Sequence, residues 1–186
     1  MKVVLVNFEG SFLIPEPTRD ASHWAPFGEN NIALHRFTGY RSEIHADYWY
    51  RLTHRSEIPE TNDLNESVWK IVLSLSMASY NIQFITNAPC GDRNNNMTLI
   101  RSRITRFTGW PRQSFIIHYR MSNSETDFYY GDKEFALSTI SGCAQRGHSV
   151  RLLIDHNIDT CRYVHESLST PCLHIQHPYT EGLWVS

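Results

Sequence analysis

The chain begins with an unbroken apolar run, Val3 to Val6, which stops at the polar residues Asn7 and Glu9. A continuous run of mostly β-branched residues predicts a strand that is buried on both faces of a sheet. Four later runs of similar character span residues 82–86, 114–119, 149–154 and 171–176. Together these segments predict five strands of one sheet.

Between the later strands, apolar residues recur three or four positions apart, which predicts amphipathic helices. This spacing occurs over residues 63–80, 95–107, 133–146 and 160–168. Gly109 and Gly147 follow two of these segments, as is common at helix C-termini. The alternation of strands and helices predicts an α/β fold, a three-layer α/β/α sandwich with a mainly parallel sheet.

Residues 12–61 lack this periodicity, and they hold four of the ten histidines and two of the five tryptophans. We interpret them as a small insertion, a cap or lid, within a single domain of residues 1–186, with one short helix over residues 42–52. The histidine spacings match no zinc-ligand motif. The aromatic side chains either form the core of a small cap or stack nucleic-acid bases.

The composition narrows the class of protein. A chain of 186 residues that is 41% hydrophobic can bury a real core. A net charge of −2 indicates no global field for nucleic acid or membranes. The four cysteines form no CxxC pair, and no apolar stretch has the length of a membrane span. We expect a cytoplasmic protein with reduced thiols and no membrane partner.

The turn after the first strand has the pattern hhhh-Asn-x-Glu-Gly-Ser, where h is apolar. It resembles motif I of the haloacid dehalogenase-like (HAD) phosphatases, hhhh-Asp-x-Asp-Gly-Thr. Three later stretches resemble the other motifs of that family: a strand ending in Thr86, Lys133 opening a helix, and a strand ending in Asp155 with Asp159 four residues on. The resemblance implies a HAD-like, Rossmannoid sheet with a cap inserted after the first strand.

The loop before Lys133 resembles one branch of that family more closely. A strand ending in Tyr119-Arg120 is followed by Asp127-x-x-x-x-Asp132-Lys133. This order is similar to the Met-Arg…Asp…Lys stretch of polynucleotide kinase 3′-phosphatase domains, including bacteriophage ones, although Tyr119 replaces the Met. The resemblance implies a phosphorylated small molecule or a nucleic-acid end as ligand, with a protein partner as the other candidate.

The resemblance also implies roles for individual residues. In the family, the first Asp of motif I attacks phosphorus and the second is the general acid and base; here these positions are Asn7 and Glu9. The residues implied to hold the phosphoryl group are Thr86, Asn87 and Lys133. Those implied to bind Mg²⁺ are Asn7, Glu9, Asp155 and Asp159. Asp159 has an alternative role, as the N-cap of the following helix.

Asn7 changes the expected chemistry. A neutral amide has no carboxylate oxygen to form an acyl phosphate, so phosphoaspartyl catalysis is expected to be lost. The missing negative charge is also expected to weaken Mg²⁺ binding. Natural divergence and an engineered substrate trap both explain Asn7, but only divergence also explains Glu9.

Two functions therefore stay open, and the chain is an enzyme in only one of them. In the first, it is a pseudoenzyme, a degenerate HAD-like domain retained to bind phosphate, a nucleotide or a protein. In the second, it is an active Mg²⁺-dependent phosphatase on a nucleotide or polynucleotide 3′-phosphate, with Glu9 or Asp155 activating water. A third interpretation, a structural protein with a flavodoxin-like sheet, predicts no cleft joining residues 7, 86, 133 and 155.

Overall fold

The computed structural model describes residues 1–8, 10–14, 63–90, 96–121 and 132–175. In chain order, the elements of this part are β1 (Lys2–Asn7), β2 (Leu13–Ile14), β3 (Asp63–Leu64), α1 (Glu66–Met77), β4 (Asn81–Cys90), α2 (Asn96–Thr108), β5 (Ile116–Met121), α3 (Asp132–Gln145), β6 (Ser149–Asp155), α4 (Ile158–Leu168) and β7 (Cys172–His174). Among these helices, none is both long enough and apolar enough to cross a membrane.

Five of the strands form one sheet in the order β5-β4-β1-β6-β7, and every neighbouring pair is parallel. The chain therefore builds outward from β1, first through β4 and β5 and then through β6 and β7. In open α/β sheets, ligands bind outside the carboxyl ends of the strands where the strand order reverses. Here that point lies at the carboxyl end of β1, and we refer to this side of the sheet as the carboxyl edge.

The central strand contacts a layer of helices on each face. Val4 and Val6 pack in one apolar cluster with residues of α1 and α2, whereas Val3 and Leu5 pack in a second cluster with residues of α3 and α4. All four side chains are fully buried. Burying a side chain of this size contributes about 1.5–3 kcal/mol. The three-layer arrangement around a parallel sheet confirms the predicted fold class.

Several predicted boundaries are shifted. Asp63 and Asn65 are the two N-caps that the sequence predicts for the first helix: Asp63 instead lies in β3, whereas Asn65 is confirmed as the N-cap of α1 and accepts a hydrogen bond from the N–H of Val68 at 3.3 Å. β4 does not end at Thr86 as predicted but continues to Cys90. Its register against β5 shifts after Thr86, so the ladder is irregular beside that residue.

The predicted insertion lies almost wholly outside the described residues, including its short helix, its histidines and its aromatic side chains after Phe12. Phe12 and Leu13 are fully buried in the core, although both belong to the predicted insertion. β2 and β3 pair antiparallel through Leu13 with Leu64 and Ile14 with Asp63, which brings the two sides of residues 15–62 together. The role of the insertion as a cap stays a prediction.

Candidate functional site

Two predicted site residues meet at the carboxyl edge. Val6 is in register with Ile154, so Asn7 and Asp155 follow at the ends of adjacent parallel strands. The Nδ2 of Asn7 donates a hydrogen bond to Oδ2 of Asp155 at 3.0 Å. Each residue is only 2% exposed. The amide of Asn7 is therefore in direct, buried contact with the carboxylate of Asp155.

The other oxygen of Asp155 is held by the two residues that follow it in the chain. Oδ1 accepts a hydrogen bond from the backbone N–H of Asn157 at 2.8 Å, and Nδ1 of His156 lies 3.5 Å from it. Hydrogen bonds to a carboxylate are stronger than those between neutral groups. Both oxygens thus have protein donors, and the orientation of the carboxylate is fixed.

Ser11 and His156 complete the buried cluster. Ser11 Oγ lies 3.4 Å from His156 Nδ1, and both residues are buried. Ser, His and Asp together suggest a hydrolytic triad, but a triad uses one ring nitrogen for the serine and the other for the acid. Here Ser11 and Asp155 both approach Nδ1. Because both contacts are made to the same ring nitrogen, they do not have the geometry of a triad.

The Oδ1 of Asn7 is the unusual atom of the site, since it is buried and accepts no hydrogen bond from the described residues. The orientation of the amide follows from its neighbour, because only the NH₂ group can donate to a carboxylate. A buried acceptor without a partner costs about 1–3 kcal/mol. Such an atom in a native fold calls for an explanation, such as an ordered water or a bound ion.

The turn after β1 carries Ser11 into this cluster. Phe12 N–H donates to the carbonyl of Asn7 at 3.2 Å, and Leu13 N–H donates to that of Phe8 at 2.9 Å. Gly10 has a φ of 78°, a conformation that glycine adopts without strain. Glu9 lies outside the described residues, so its acid/base and metal roles stay predictions.

Thr86 and Lys133 differ in their surroundings. Thr86 is fully buried and directly follows Ile85, the register partner of Asn7. Lys133 is exposed in the first turn of α3, and its Nζ lies 5.1 Å from the ring centroid of Tyr163 in α4. The side chain of Asn87 is outside the described part, although its backbone belongs to β4.

Asp159 is not the N-cap of α4, and that prediction is wrong. The helix begins at Ile158, and the Oδ1 of Asn157 accepts hydrogen bonds from the N–H groups of Asp159 and Thr160 at 2.9 and 3.2 Å. Asp159 is exposed in the first turn. Among the described residues, no three His, Cys, Asp or Glu side chains form a metal-binding group. The metal role of Asp159 stays a prediction.

The HAD resemblance implies Mg²⁺, and two side chains of the site suit such a hard cation. Mg²⁺ prefers oxygen ligands and keeps several of its own waters. The unpartnered Oδ1 of Asn7 is an oxygen ligand of this kind, beside the carboxylate of Asp155. Only one of these two groups carries a negative charge. The described residues therefore offer Mg²⁺ one carboxylate and one amide oxygen, and the weakened binding expected from Asn7 stays a prediction.

No family model and no curated protein matches this sequence. Solved structures do match. A chain of the Pnkp1/Rnl/Hen1 complex has a TM-score of 0.57 and 13% identity over 94% of this chain and 45% of its own. A HAD family enzyme from Bacteroides thetaiotaomicron has a TM-score of 0.53 and 8% identity, covering 100% and 99%. The chain has a HAD-like fold.

A chain of a second structure, the Pnkp1/Rnl/Hen1 RNA repair complex, matches with a TM-score of 0.58 and 13% identity. The match covers 94% of the present chain and 42% of the chain in the complex. The HAD-like chain thus spans less than half the length of the chains that it matches in these complexes. The likenesses confirm a HAD-like fold resembling that of polynucleotide kinase phosphatases. At these identities they bear on the fold alone.

Ser11 and Asn157 contact the candidate site, although they are not among the site residues predicted from the sequence. Ser11 occupies the last position of the motif I pattern, but its partner His156 is 145 residues away. Asn157 contributes twice, through its N–H to Asp155 and through its side chain to the start of α4. An Asn two residues after a strand end, before a helical pattern, is the signal that favours such a cap.

Proposed function

We propose that this chain is a cytoplasmic HAD-like protein without phosphoaspartyl catalysis, retained to bind phosphate, a nucleotide or a protein. The hydrogen bond from Asn7 Nδ2 to Asp155 carries this proposal. At the position of the attacking carboxylate, the chain has a neutral amide that is already engaged as a donor. Because a covalent acyl phosphate needs a carboxylate oxygen, phosphorus has no attacker at this position.

Phosphate would be bound at the carboxyl edge. The hydroxyl of Thr86, the side chain of Asn87 and the ammonium of Lys133 supply donors for its oxygens. To reach the site, Lys133 would have to leave the ring of Tyr163. An exposed cation–π contact is worth only about 0.5–1 kcal/mol, so phosphate can outcompete it.

Mg²⁺ would be held by Asn7 Oδ1 and Asp155, with Glu9 and Asp159 as further proposed ligands. When bound, the ion neutralises charge on the phosphate oxygens. The protein groups orient the ligand and exclude water from the buried end of β1.

A second candidate is an active Mg²⁺-dependent phosphatase on a nucleotide or polynucleotide 3′-phosphate. The intact carboxylate of Asp155, held by two donors, favours this alternative. The likeness to a chain of an RNA repair complex supports a nucleic-acid end as ligand and a protein as partner. In this case Glu9 or Asp155 would activate water directly.

Turnover separates the two candidates. The wild-type protein is incubated with Mg²⁺ and either p-nitrophenyl phosphate or a 3′-phosphorylated oligonucleotide, and released phosphate is measured. We expect none from the wild type and measurable release from Asn7→Asp, which restores the attacking carboxylate. Wild-type turnover that is abolished by Glu9→Gln or Asp155→Asn would reject the proposal in favour of the phosphatase.

Binding is tested by calorimetry with inorganic phosphate and Mg²⁺. We expect Lys133→Gln to weaken phosphate binding about 10- to 100-fold, since a hydrogen bond to a charged group contributes about 1.5–3 kcal/mol. Lys70→Gln is the matched control, because Lys70 is exposed on α1 and pairs with Glu66. Equal affinities of the two variants would exclude Lys133 from the site.

A further inference from the structure

One stretch of the chain is rich in arginine and has no acidic residue. Residues 93–124 hold six arginines and no aspartate or glutamate, although the whole chain has a net charge of −2. Arg101, Arg106 and Arg112 belong to this stretch, and none of them forms a salt bridge with a described residue. Guanidinium groups stay charged in proteins. The α2 helix and the turn after it therefore carry a local excess of positive charge.

The strand that follows this stretch, β5, lies at one end of the sheet. Among the described strands it pairs only with β4, so its outer edge has no neighbour there. Ile116 and Tyr119 are 48% and 41% exposed on this strand. Native proteins usually protect an edge with charged side chains, proline or a bulge. Residues 116–119 have no Lys, Arg, Asp, Glu or Pro, and the register shift comes after them. This edge is therefore open to pairing with another extended chain.

Two of the arginines are held in place where β5 begins. The Nη1 of Arg101 donates to the backbone carbonyls of Arg112 and Phe115, the latter at 3.4 Å. The Cζ of Arg101 lies 5.5 Å from the ring centroid of Phe115. The Nη2 of Arg112 donates to Oγ of Ser102 at 2.9 Å. Because side chains that are already ordered lose less entropy on binding, these two charges favour an anionic ligand at this end of the edge.

A second copy of the chain and a nucleic acid fit this edge less well than an acidic protein segment does. If two β5 strands paired antiparallel with Ile116 opposite Tyr119, Arg120 of the second copy would lie opposite Phe115. The carbonyl of Phe115 already binds Arg101, and like charges opposite each other on paired strands are destabilising. A nucleic acid has no backbone N–H groups with which to extend the sheet. An extended protein segment with acidic residues suits both the edge and the charge.

We propose that β5 receives an extended segment of a partner protein as an added strand, with apolar residues along β5 and acidic residues beside Arg101 and Arg112. Main-chain hydrogen bonds to the edge supply affinity, and side chains supply specificity. Because successive side chains of a strand point to opposite faces, Ile116 and Tyr119 contact the segment on opposite faces of the sheet. Its carboxylates make charge-assisted hydrogen bonds with the two guanidinium groups.

Fluorescence anisotropy with designed peptides tests the chemistry of the partner. The full-length protein is titrated into a labelled peptide, Glu-Glu-Val-Thr-Val-Thr-Val-Glu-Glu, whose two acidic ends suit either strand direction. Replacing every glutamate by lysine should weaken binding at least about tenfold, because like charges across an interface are unfavourable. Methylating the five central amide nitrogens, which blocks strand pairing, should also weaken it. Undiminished binding of either altered peptide, or no binding of the acidic one, would overturn the proposal.

Paired variants test the position of the surface. Arg112→Glu should weaken binding of the acidic peptide about tenfold and strengthen that of the lysine peptide. Arg162→Glu, at an exposed position of α4 on the other face of the sheet, should change neither. Ile116→Lys should also weaken binding, whereas Ile71→Lys, at an exposed isoleucine of α1, should not. Equal effects within either pair of variants would contradict the assignment.

Hydrogen exchange distinguishes the possible occupants of the edge. With the acidic peptide bound, we expect amides within residues 116–119 to exchange about tenfold more slowly. The same slowing without peptide, as the protein concentration is raised, would assign the edge to a second copy. Displacement of the peptide by single-stranded RNA, with no slowing at residues 116–119 when the peptide is bound, would assign the arginines to nucleic acid. Either result would overturn the proposal. The surface includes neither Asn7 nor Asp155, so these outcomes do not depend on phosphate binding.

Discussion

Two buried amides on adjacent strands of the sheet differ in how many of their hydrogen-bonding groups have partners. Asn7 on β1 is 2% exposed and Gln83 on β4 is 1% exposed. The Oε1 of Gln83 accepts from Nε2 of His118 at 2.6 Å and from the thiol of Cys143 at 3.8 Å. Its Nε2 donates to Asn81 Oδ1 at 2.7 Å. By contrast, only the NH₂ group of Asn7 has a partner among the described residues.

The difference separates a structural polar cluster from a candidate site. We call Asn81, Gln83, His118 and Cys143 the Gln83 cluster. Buried polar groups that satisfy one another stabilise a fold and need no ligand. The oxygen of Asn7 lies instead at the carboxyl edge, where a ligand can supply what the protein does not. Satisfaction of hydrogen bonds thus distinguishes the two amides better than burial does.

The largest effect is expected from Asn7→Asp. It places two carboxylates where the hydrogen bond of 3.0 Å now lies, and an uncompensated buried charge costs about 3–5 kcal/mol. The like charge raises a carboxyl pKa in the folded state above the unfolded value, so stability should increase as the pH is lowered through the folded pKa. Mg²⁺ should also restore stability. Urea unfolding at several pH values, with and without Mg²⁺, measures these effects.

Asn65→Asp is the control for this change. Asn65 is an N-cap, where a carboxylate is as favourable as an amide, so stability should change little. If Asn7→Asp were as stable as the wild type without Mg²⁺ at neutral pH, the contrast drawn between Asn7 and Gln83 would be wrong.

An intermediate effect is expected from Gln83→Met. It leaves the ring N–H of His118 and the amide of Asn81 without their partner, at a cost of about 1–3 kcal/mol in the free energy of unfolding. Phosphate binding should not change, because the Gln83 cluster is structural. Gln145→Met, at an exposed position of α3, should shift stability by no more than about 0.5 kcal/mol. Weaker phosphate binding in Gln83→Met would contradict this separation.

Smaller losses are expected from removing helix caps. Asn157→Ala and Asn65→Ala should each cost about 0.5–2 kcal/mol. Asn157 should lie at the upper end, because its side chain accepts from two N–H groups whereas that of Asn65 accepts from one. Thermal and urea unfolding of the two variants compare a cap at the candidate site with one remote from it. A larger loss for Asn65→Ala would contradict this ranking.

A pH-dependent effect is also expected from the Gln83 cluster. Burial, and then the charge of Arg146, lowers the pKa of His118 from 6.5 to about 4. The unfolded chain therefore binds a proton before the folded one, so stability should fall as the pH drops from 6.5 toward 4. His118→Gln should flatten this part of the profile, and His165→Gln should leave it in place. If the slope of stability against pH were unchanged in His118→Gln, another group would be responsible for the loss of stability in this pH range.

The architecture was predictable because apolar periodicity extends over each long element. The run at β1 and the helical spacing of α1 to α4 depend on many residues, so errors at the ends do not change the layers. β2 and β3 could not be predicted, since two residues show no period. The extension of β4 beyond Thr86 depends on its pairing with β5, which a single sequence does not display.

Within the candidate site, only the contact between Asn7 and Asp155 could be predicted from the positions of strand ends. Asn7 and Asp155 meet because parallel neighbours end together, which follows from topology. The position of Lys133 over Tyr163 depends on a flexible side chain, and the contact of Ser11 with His156 joins residues 145 apart. The N-cap of α4 is Asn157 rather than Asp159, because the helix starts earlier than its apolar pattern suggests.

The short β2–β3 ladder holds the two ends of residues 15–62 close together. Ile14 and Asp63 are paired, so they lie within about 5 Å of each other, the spacing of paired antiparallel residues. Because the entropic cost of closing a loop grows slowly with its length, a longer or shorter connection between Ile14 and Asp63 should leave the register of β1 against β4 and β6 unaltered.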